Sequence, residues 1–133
     1  MALPQTLLPP GWPRPKGYAN GVAAAGRIVL TGGLVGWDAD GRFAGPDLAS
    51  QLAQTLRNTL AVLAEGGAGP EHIVRMTWYV IDLDEYRHSL SAIGAAWRAT
   101  IGRHYPAMAV IGVSGLVEPE AKVEIETIAV VPD

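Results

Sequence analysis

The stretch that decides the fold is AKVEIETIAVVP, residues 121–132, near the end of the 133-residue chain. Val123 and Ile125 share one parity, and Glu124 and Glu126 share the other. Successive strand residues point to opposite faces of a sheet, so the two carboxylates stand about 7 Å apart on one face. The pattern predicts a strand with one apolar face and one face that carries carboxylates.

Two amphipathic helices are predicted upstream of this strand. The first begins at Asp47, a candidate N-cap, and ends at Gly66-Gly67. The second begins near Asp82 or Asp84 and stops at Gly102. The apolar stripe of the first consists of Leu48, Leu52, Leu56, Leu60 and Leu63. That of the second consists of Leu83, Tyr86, Leu90, Ile93, Trp97 and Ile101.

The remaining apolar segments predict strands, in the order ββ-α-β-α-β-β. The strands are expected at 18–24, 27–32, 72–81, 107–113 and 122–131, and a tight turn at Ala25-Gly26 joins the first two. Helices with one apolar stripe each pack on one face of a sheet, which predicts a two-layer α+β sandwich. The other face carries too many apolar residues to remain in water, so we expect another subunit to cover it.

The ends and the composition restrict the class of protein. Residues 1–17 hold five of the ten prolines and are predicted to form an extended arm of a single domain, 1–133. The net charge of −3, without a basic run, argues against nucleic acid or anionic membrane as a partner. The chain has no cysteine, no signal-peptide pattern and no run of 18 apolar residues. We therefore expect a cytoplasmic protein.

Three motifs that could bind phosphate or metal are better explained as structure. TGGLVG, 31–36, is not followed by a helix whose N-terminus would hold phosphate. DADG, 38–41, is typical of a turn. His72, His88 and His104 lack the spacing of three or four residues expected of a metal site on a helix. No metal and no cofactor are predicted.

The carboxylates at 124 and 126 admit two interpretations. A carboxylate held in a partly apolar site has a raised pKa and can activate water or carry a proton. Alternatively, both glutamates belong to a solvated edge strand on which Lys122 is their partner. The residue pattern leaves both interpretations open.

Seven segments share one recognisable order and spacing: GYANGV (17–22), RIVLTGG (27–33), DADGRF (38–43), QLAQTLRNTLAVLAEGGA (51–68), HIVRMTWYVIDLDEY (72–86), YPAMAVIGV (105–113) and KVEIETIAV (122–130). Over roughly residues 17–131 they resemble the RidA/YjgF family of imine/enamine deaminases, also described as endoribonuclease L-PSP. The resemblance implies a chorismate-mutase-like fold with two helices on one face of a six-stranded mixed sheet. It also implies a homotrimer whose sheets line a central barrel, with pockets at the subunit interfaces.

The same resemblance assigns roles to individual residues. Glu124 corresponds to the catalytic, water-activating glutamate of the family. Met108 stands where active members have an arginine that binds the substrate carboxylate, and methionine has no donor for that contact. The family's helix asparagine falls near Leu90 or Ser91. The substrate-binding residues implied are Tyr18, Thr31, Gly32, Met108, Ala109 and Val110.

Two functions follow as hypotheses. The first is deaminase-type hydrolysis of an imine or enamine other than a simple 2-imino acid, with Arg75, Arg103 or His104 as candidate replacements for the missing arginine. The second is a non-catalytic trimer that binds a small metabolite. A ribonuclease is less favoured, because the chain is acidic and lacks a pair of histidines suited to acid–base chemistry on RNA.

Overall fold

The computed structural model describes residues 3–133, so the first two residues of the predicted arm lie outside it. Within 3–133, no helix is long and apolar enough to cross a membrane. The helices are α1 (Leu48–Glu65), α2 (Leu83–His88) and α3 (Leu90–Thr100), with a 3₁₀ turn at Pro70–His72. The strands are β1 (Gln5–Leu7), β2 (Gly21–Ala23), β3 (Arg27–Leu30), β4 (Ile73–Val80), β5 (Ala107–Gly112) and β6 (Val123–Val131).

The main sheet is mixed and has four strands in the order β3-β6-β4-β5. Only β4 and β5 run parallel, and their connection contains α2 and α3. The remaining two strands, β1 and β2, pair with each other in a separate antiparallel sheet. The predicted α+β class is confirmed, with the six strands divided between two sheets of four and two.

The predicted pairing of the segments around Ala25-Gly26 is wrong. Part of the proline-rich arm, β1, takes the place beside β2, while β3 pairs with β6. Gly26 has φ +146°, and a Cβ there would collide with the carbonyl of Val131. The chain therefore approaches the end of β6 at this point, where only glycine fits, and continues along that strand.

The helix α1 forms as its sequence predicts and covers one face of the main sheet. The Asp47 side chain accepts a hydrogen bond from the backbone N–H of Ser50 at 2.9 Å, and this bond lowers the pKa of the carboxyl. Four of the five stripe leucines are fully buried, and Leu60 is partly buried against the same core. From the sheet, this core contains Met76, Trp78, Val80, Val123, Ile125 and Ala129.

The second predicted helix is divided in two at Ser89. Asp82 caps α2 by accepting hydrogen bonds from the N–H groups of Asp84 and Glu85. Ser89 leaves the helical conformation, with φ −107° and ψ 9°, and its N–H bonds to Tyr86 O, three residues back. The tightened last turn ends α2, and α3 begins directly after it.

A buried glutamine fixes the start of β6. Gln51 on α1 is 1% exposed, and its Nε2 donates to the carbonyls of Gly45 and Glu120 at 3.0 Å each. Its Oε1 accepts from the N–H of Lys122 at 2.8 Å. These bonds hold the segment before β6 against α1 and thereby set where Glu124 lies.

Candidate functional site

Glu124 lies on the face of the main sheet that no helix covers. Its strand neighbour is Tyr79 on β4, whereas the adjacent pair, Trp78 and Ile125, points into the helical core. We call this uncovered side the open face; it also carries Ile28 and Leu30 of β3, which are 65% and 61% exposed. The carboxylates of β6 therefore share a surface with exposed apolar side chains.

The two glutamates of β6 differ in their partners. Glu126 accepts a hydrogen bond from the hydroxyl of Tyr79, and this bond raises the pKa of that phenol. The predicted partner Lys122 pairs with Glu85 at 2.8 Å instead, because its side chain points to the helical side. Within residues 3–133 the half-buried Glu124 carboxylate has no hydrogen bond or ion pair. Glu124 is thus the carboxylate available to a water or ligand.

A glycine-rich loop lies against Glu124. A Cβ at Gly33 would collide with Oε2 of Glu124, so only glycine fits there without moving the carboxylate. The Thr31 hydroxyl accepts from the N–H of Thr127 at 3.1 Å and donates to Gly32 O at 2.8 Å. The loop is thereby fastened to β6 beside the carboxylate.

A cleft of about 560 Å³ opens on the helical side of the same sheet. Met108 and Val110 of β5 form its floor with Trp78, and α3 forms one wall. Tyr18 enters because Ala19 pairs with Ala107 and donates its N–H to Pro106 O at 2.9 Å. The full lining is Lys16, Gly17, Tyr18, Trp78, Tyr86, Leu90, Ile93, Gly94, Trp97, Arg98, Tyr105, Met108 and Val110.

Aromatic rings dominate the cleft. The ring centroids of Trp78 and Trp97 are 6.0 Å apart, and Tyr105 stacks on Trp97 at 6.3 Å. Both indole N–H groups are buried and lack an acceptor within residues 3–133, so the cleft contacts the rings rather than the donors. Burial raises the pKa of the Tyr86 phenol. The cleft therefore suits a ligand with a large apolar or aromatic part.

The charged groups of the cleft are Lys16 and Arg98. Its lining, as far as the structure describes the chain, includes no Asp, Glu or His, and none of Arg75, Arg103 and His104. Arg75 lies on the open face, in register with Ile128. No cluster of three His, Cys, Asp or Glu residues suited to a metal occurs in residues 3–133.

The predicted site residues fall into two groups in one chain. Tyr18, Met108 and Val110 meet in the cleft, while Thr31, Gly32 and Glu124 meet at the edge of the open face. Ala109 has the opposite parity to its neighbours on β5 and points to the open face. Within one chain, the two groups therefore lie on opposite faces of the main sheet.

Sequence reasoning missed Arg98 and did not assign Trp78 or Trp97 to a ligand site. Trp97 was placed in the apolar stripe of its helix, and Arg98 borders that stripe four residues after Gly94. Residues four apart share a helix face, so the spacing of Gly94 and Arg98 was the signal that could have placed Arg98 beside the apolar stripe. The tryptophan of β4, Trp78, shares its cleft with Met108 through a parallel pairing that sequence does not reveal.

Comparison with known proteins places the chain among its relatives. Residues 13–131 match the family model described as Endoribonuclease L-PSP. A 2-iminobutanoate/2-iminopropanoate deaminase from Salmonella typhimurium is 30% identical over 116 residues, covering 85% of this chain and 86% of the relative. The crystal structure of YyfB, a Rid-family protein from Yersinia pestis, has a TM-score of 0.85 and 32% identity, covering 98% of this chain and all of that one.

Proposed function

Since the chain belongs to the endoribonuclease L-PSP family, which includes the RidA/YjgF proteins, we propose that it hydrolyses the C=N bond of a small imine or enamine. Family relatives from Salmonella typhimurium and Escherichia coli, 30% and 29% identical, are named 2-iminobutanoate/2-iminopropanoate deaminases. The observation that carries the proposal is the Glu124 carboxylate, which is half-buried, unpaired within residues 3–133 and in contact with Gly33.

The proposed site is shared between subunits of a homotrimer. Glu124 and the loop at Thr31 lie on one side of the sheet, and the cleft at Met108 lies on the other. Side chains such as Ile28 and Leu30 expose apolar area on the open face, which is typical of an interface between copies of a chain. In the trimer, the Glu124 edge of one subunit would adjoin the cleft of its neighbour.

The chemistry requires one proton carrier. In the first half-reaction, Glu124 takes a proton from water as the water oxygen bonds to the imine carbon, and delivers it to the imine nitrogen. In the second, it takes the proton of the new hydroxyl and gives it to the amine. The C–N bond then breaks, its electron pair leaves with ammonia, and a C=O bond forms. An enamine would first be protonated on carbon to reach the imine.

The substrate is proposed to be larger than 2-iminobutanoate. Met108 offers dispersion contacts and no hydrogen-bond donor, and the rings of Trp78, Trp97 and Tyr105 surround it in the cleft. A short aliphatic side chain would leave most of about 560 Å³ unfilled. A bulky apolar side chain would fill that volume and bury more apolar surface than a small one.

Ammonia release tests this proposal. Imines are generated in situ by an amino-acid oxidase, and each enzymatic rate is compared with the spontaneous rate. Glu124→Gln should lower the rate above background by about 100-fold or more, because it removes the general base. Glu126→Gln is the matched control on the same strand and face, and should stay near wild type.

Equal rates for wild type and Glu124→Gln would reject the catalytic assignment. A second variant, Met108→Arg, introduces the family's arginine. Faster ammonia release from 2-iminobutanoate by this variant would show that the catalytic groups are intact and that the wild-type cleft suits another substrate.

A non-catalytic, metabolite-binding trimer is the second candidate. The absence of a donor at Met108 favours it, because a carboxylate anchor at that place serves turnover of simple 2-imino acids. Ligand binding without ammonia release from any imine tested would support this function over the first.

A further inference from the structure

We propose that Arg98, on α3, is the carboxylate anchor of this protein, and that the cleft binds 2-imino acids with aromatic or similarly bulky side chains. The proposal rests on the proposed function, since it names the substrate class of that same site. Arg98 takes over, from another element of the fold, the contact that Met108 cannot make.

The conformation of Arg98 directs its charge along the cleft. Helical side chains lean toward the N-terminus, so that of Arg98 passes over the turn that contains Gly94. A Cβ at Gly94 would lie 3.2 Å from Nη1 of Arg98, which shows how closely the guanidinium follows the helix surface. Both residues line the cleft, and Leu90 follows one turn further on the same side. Arg98 is an exposed residue, so its guanidinium lies at the rim of the cleft, along the wall that α3 forms.

The charge of Arg98 is uncompensated within the described part of the chain. Arg87 pairs with Asp84 at 3.3 Å, and Lys122 pairs with Glu85 at 2.8 Å. Arg98 forms no ion pair or hydrogen bond within residues 3–133, and Lys16 lies at the same cleft with no acidic residue in the lining. Two cations beside an apolar cavity attract a ligand with an anionic head.

The rest of the cleft defines the other end of that ligand. The rings of Trp78, Trp97 and Tyr105 form one continuous aromatic group, and Met108 lies against the same space. Thioether and aromatic groups both favour contact with a flat ring. A guanidinium binds a carboxylate by two parallel hydrogen bonds, which a lysine cannot do. An aromatic side chain with a 2-imino acid head matches both ends.

Calorimetric titration with two probes tests the proposal without requiring turnover. Phenylpyruvate is the stable 2-oxo counterpart of an aromatic 2-imino acid, and phenylacetone has the same ring and ketone without the carboxylate. Arg98→Gln should raise the Kd of phenylpyruvate by about 10-fold or more, as expected for a lost charge-assisted hydrogen bond. The same variant should leave the Kd of phenylacetone within about 2-fold of the wild-type value. Arg98→Lys should recover part of the lost affinity for phenylpyruvate.

Arg57→Gln is the matched control, because it removes the same charge from an exposed residue of α1 that does not line the cleft. It should bind both probes as wild type does. The proposal is overturned if wild type does not bind phenylpyruvate, if Arg98→Gln binds it as tightly as wild type, or if both probes weaken equally.

The failure of this inference can be told apart from that of the proposed function. Deaminase activity with a KM that Arg98→Gln leaves unchanged would reject Arg98 and retain the enzyme. If phenylpyruvate binds in an Arg98-dependent way but no imine releases ammonia, Arg98 is the carboxylate anchor and the deaminase function is rejected.

Discussion

Glu124 and Met108 lie on opposite faces of the same four-stranded sheet. Tyr79 pairs with Glu124 on the open face, and its neighbour Trp78 stands beside Met108 in the cleft. One chain therefore presents two half-sites that point away from each other. The arrangement makes specific predictions about how copies of the chain depend on one another.

Mixed trimers should recover activity that each parent variant lacks. Glu124→Gln removes the base and leaves the cleft open, whereas Gly94→Phe fills the cleft and leaves the base. If each site takes its base and its cleft from different subunits, random mixing at equal amounts makes about a quarter of sites complete. Ammonia release after co-expression measures this, with each variant alone as the control. No recovery in trimers shown to be mixed would mean that one subunit supplies both halves.

A charge on the open face should dissociate the oligomer. Leu30 is 61% exposed in the single chain, and a carboxylate there would be buried unpaired in an interface. Leu30→Glu should shift the protein from trimer to monomer in sedimentation velocity at micromolar concentration. Val62→Glu on α1, at a residue 41% exposed, introduces the same charge away from that face and should leave the assembly unchanged. A wild-type monomer would contradict the shared site directly.

Loss of the buried amide of Gln51 should destabilise the fold. Gln51→Leu leaves two carbonyls and one N–H without partners, at a cost of about 3 kcal/mol in the free energy of unfolding. Gln54→Leu, at a half-buried residue of the same helix whose amide bonds only to neighbouring side chains of α1, should cost less than about 1 kcal/mol. Urea unfolding at one fixed protein concentration measures both, because assembly contributes to stability. Equal costs would show that Gln51 does not hold β6 in place.

The N-cap of α1 should stabilise the fold by an amount that depends on pH. Hydrogen bonds from Ser50 lower the folded pKa of Asp47 below 3.8, so its stabilisation is present above that pH and is lost as the pH falls through the folded value. Asp47→Ala should cost about 1 kcal/mol at pH 7. The difference from wild type should shrink below pH 3.8. A difference independent of pH would show that the ionised form is not the one that caps the helix.

The sequence by itself determined the elements and their apolar faces. The leucine stripe, the cap at Asp47 and the alternation around Glu124 are set by neighbours a few residues apart, where the helical and strand periods apply. The same local patterns predicted the α+β class, which the structure confirms. They also indicated which parity of β6 carries the carboxylates.

Only the tertiary structure decided how these elements meet. The pairing of β3 with β6 and the presence of Arg98 and Met108 in one cleft depend on contacts between residues far apart in the chain. A parallel pairing such as Trp78 with Val110 leaves no mark on local sequence, because the two strands are joined by a long connection that contains α2 and α3. Parity therefore marked Glu124 and Glu126 together, the family resemblance singled out Glu124, and only the fold revealed Arg98.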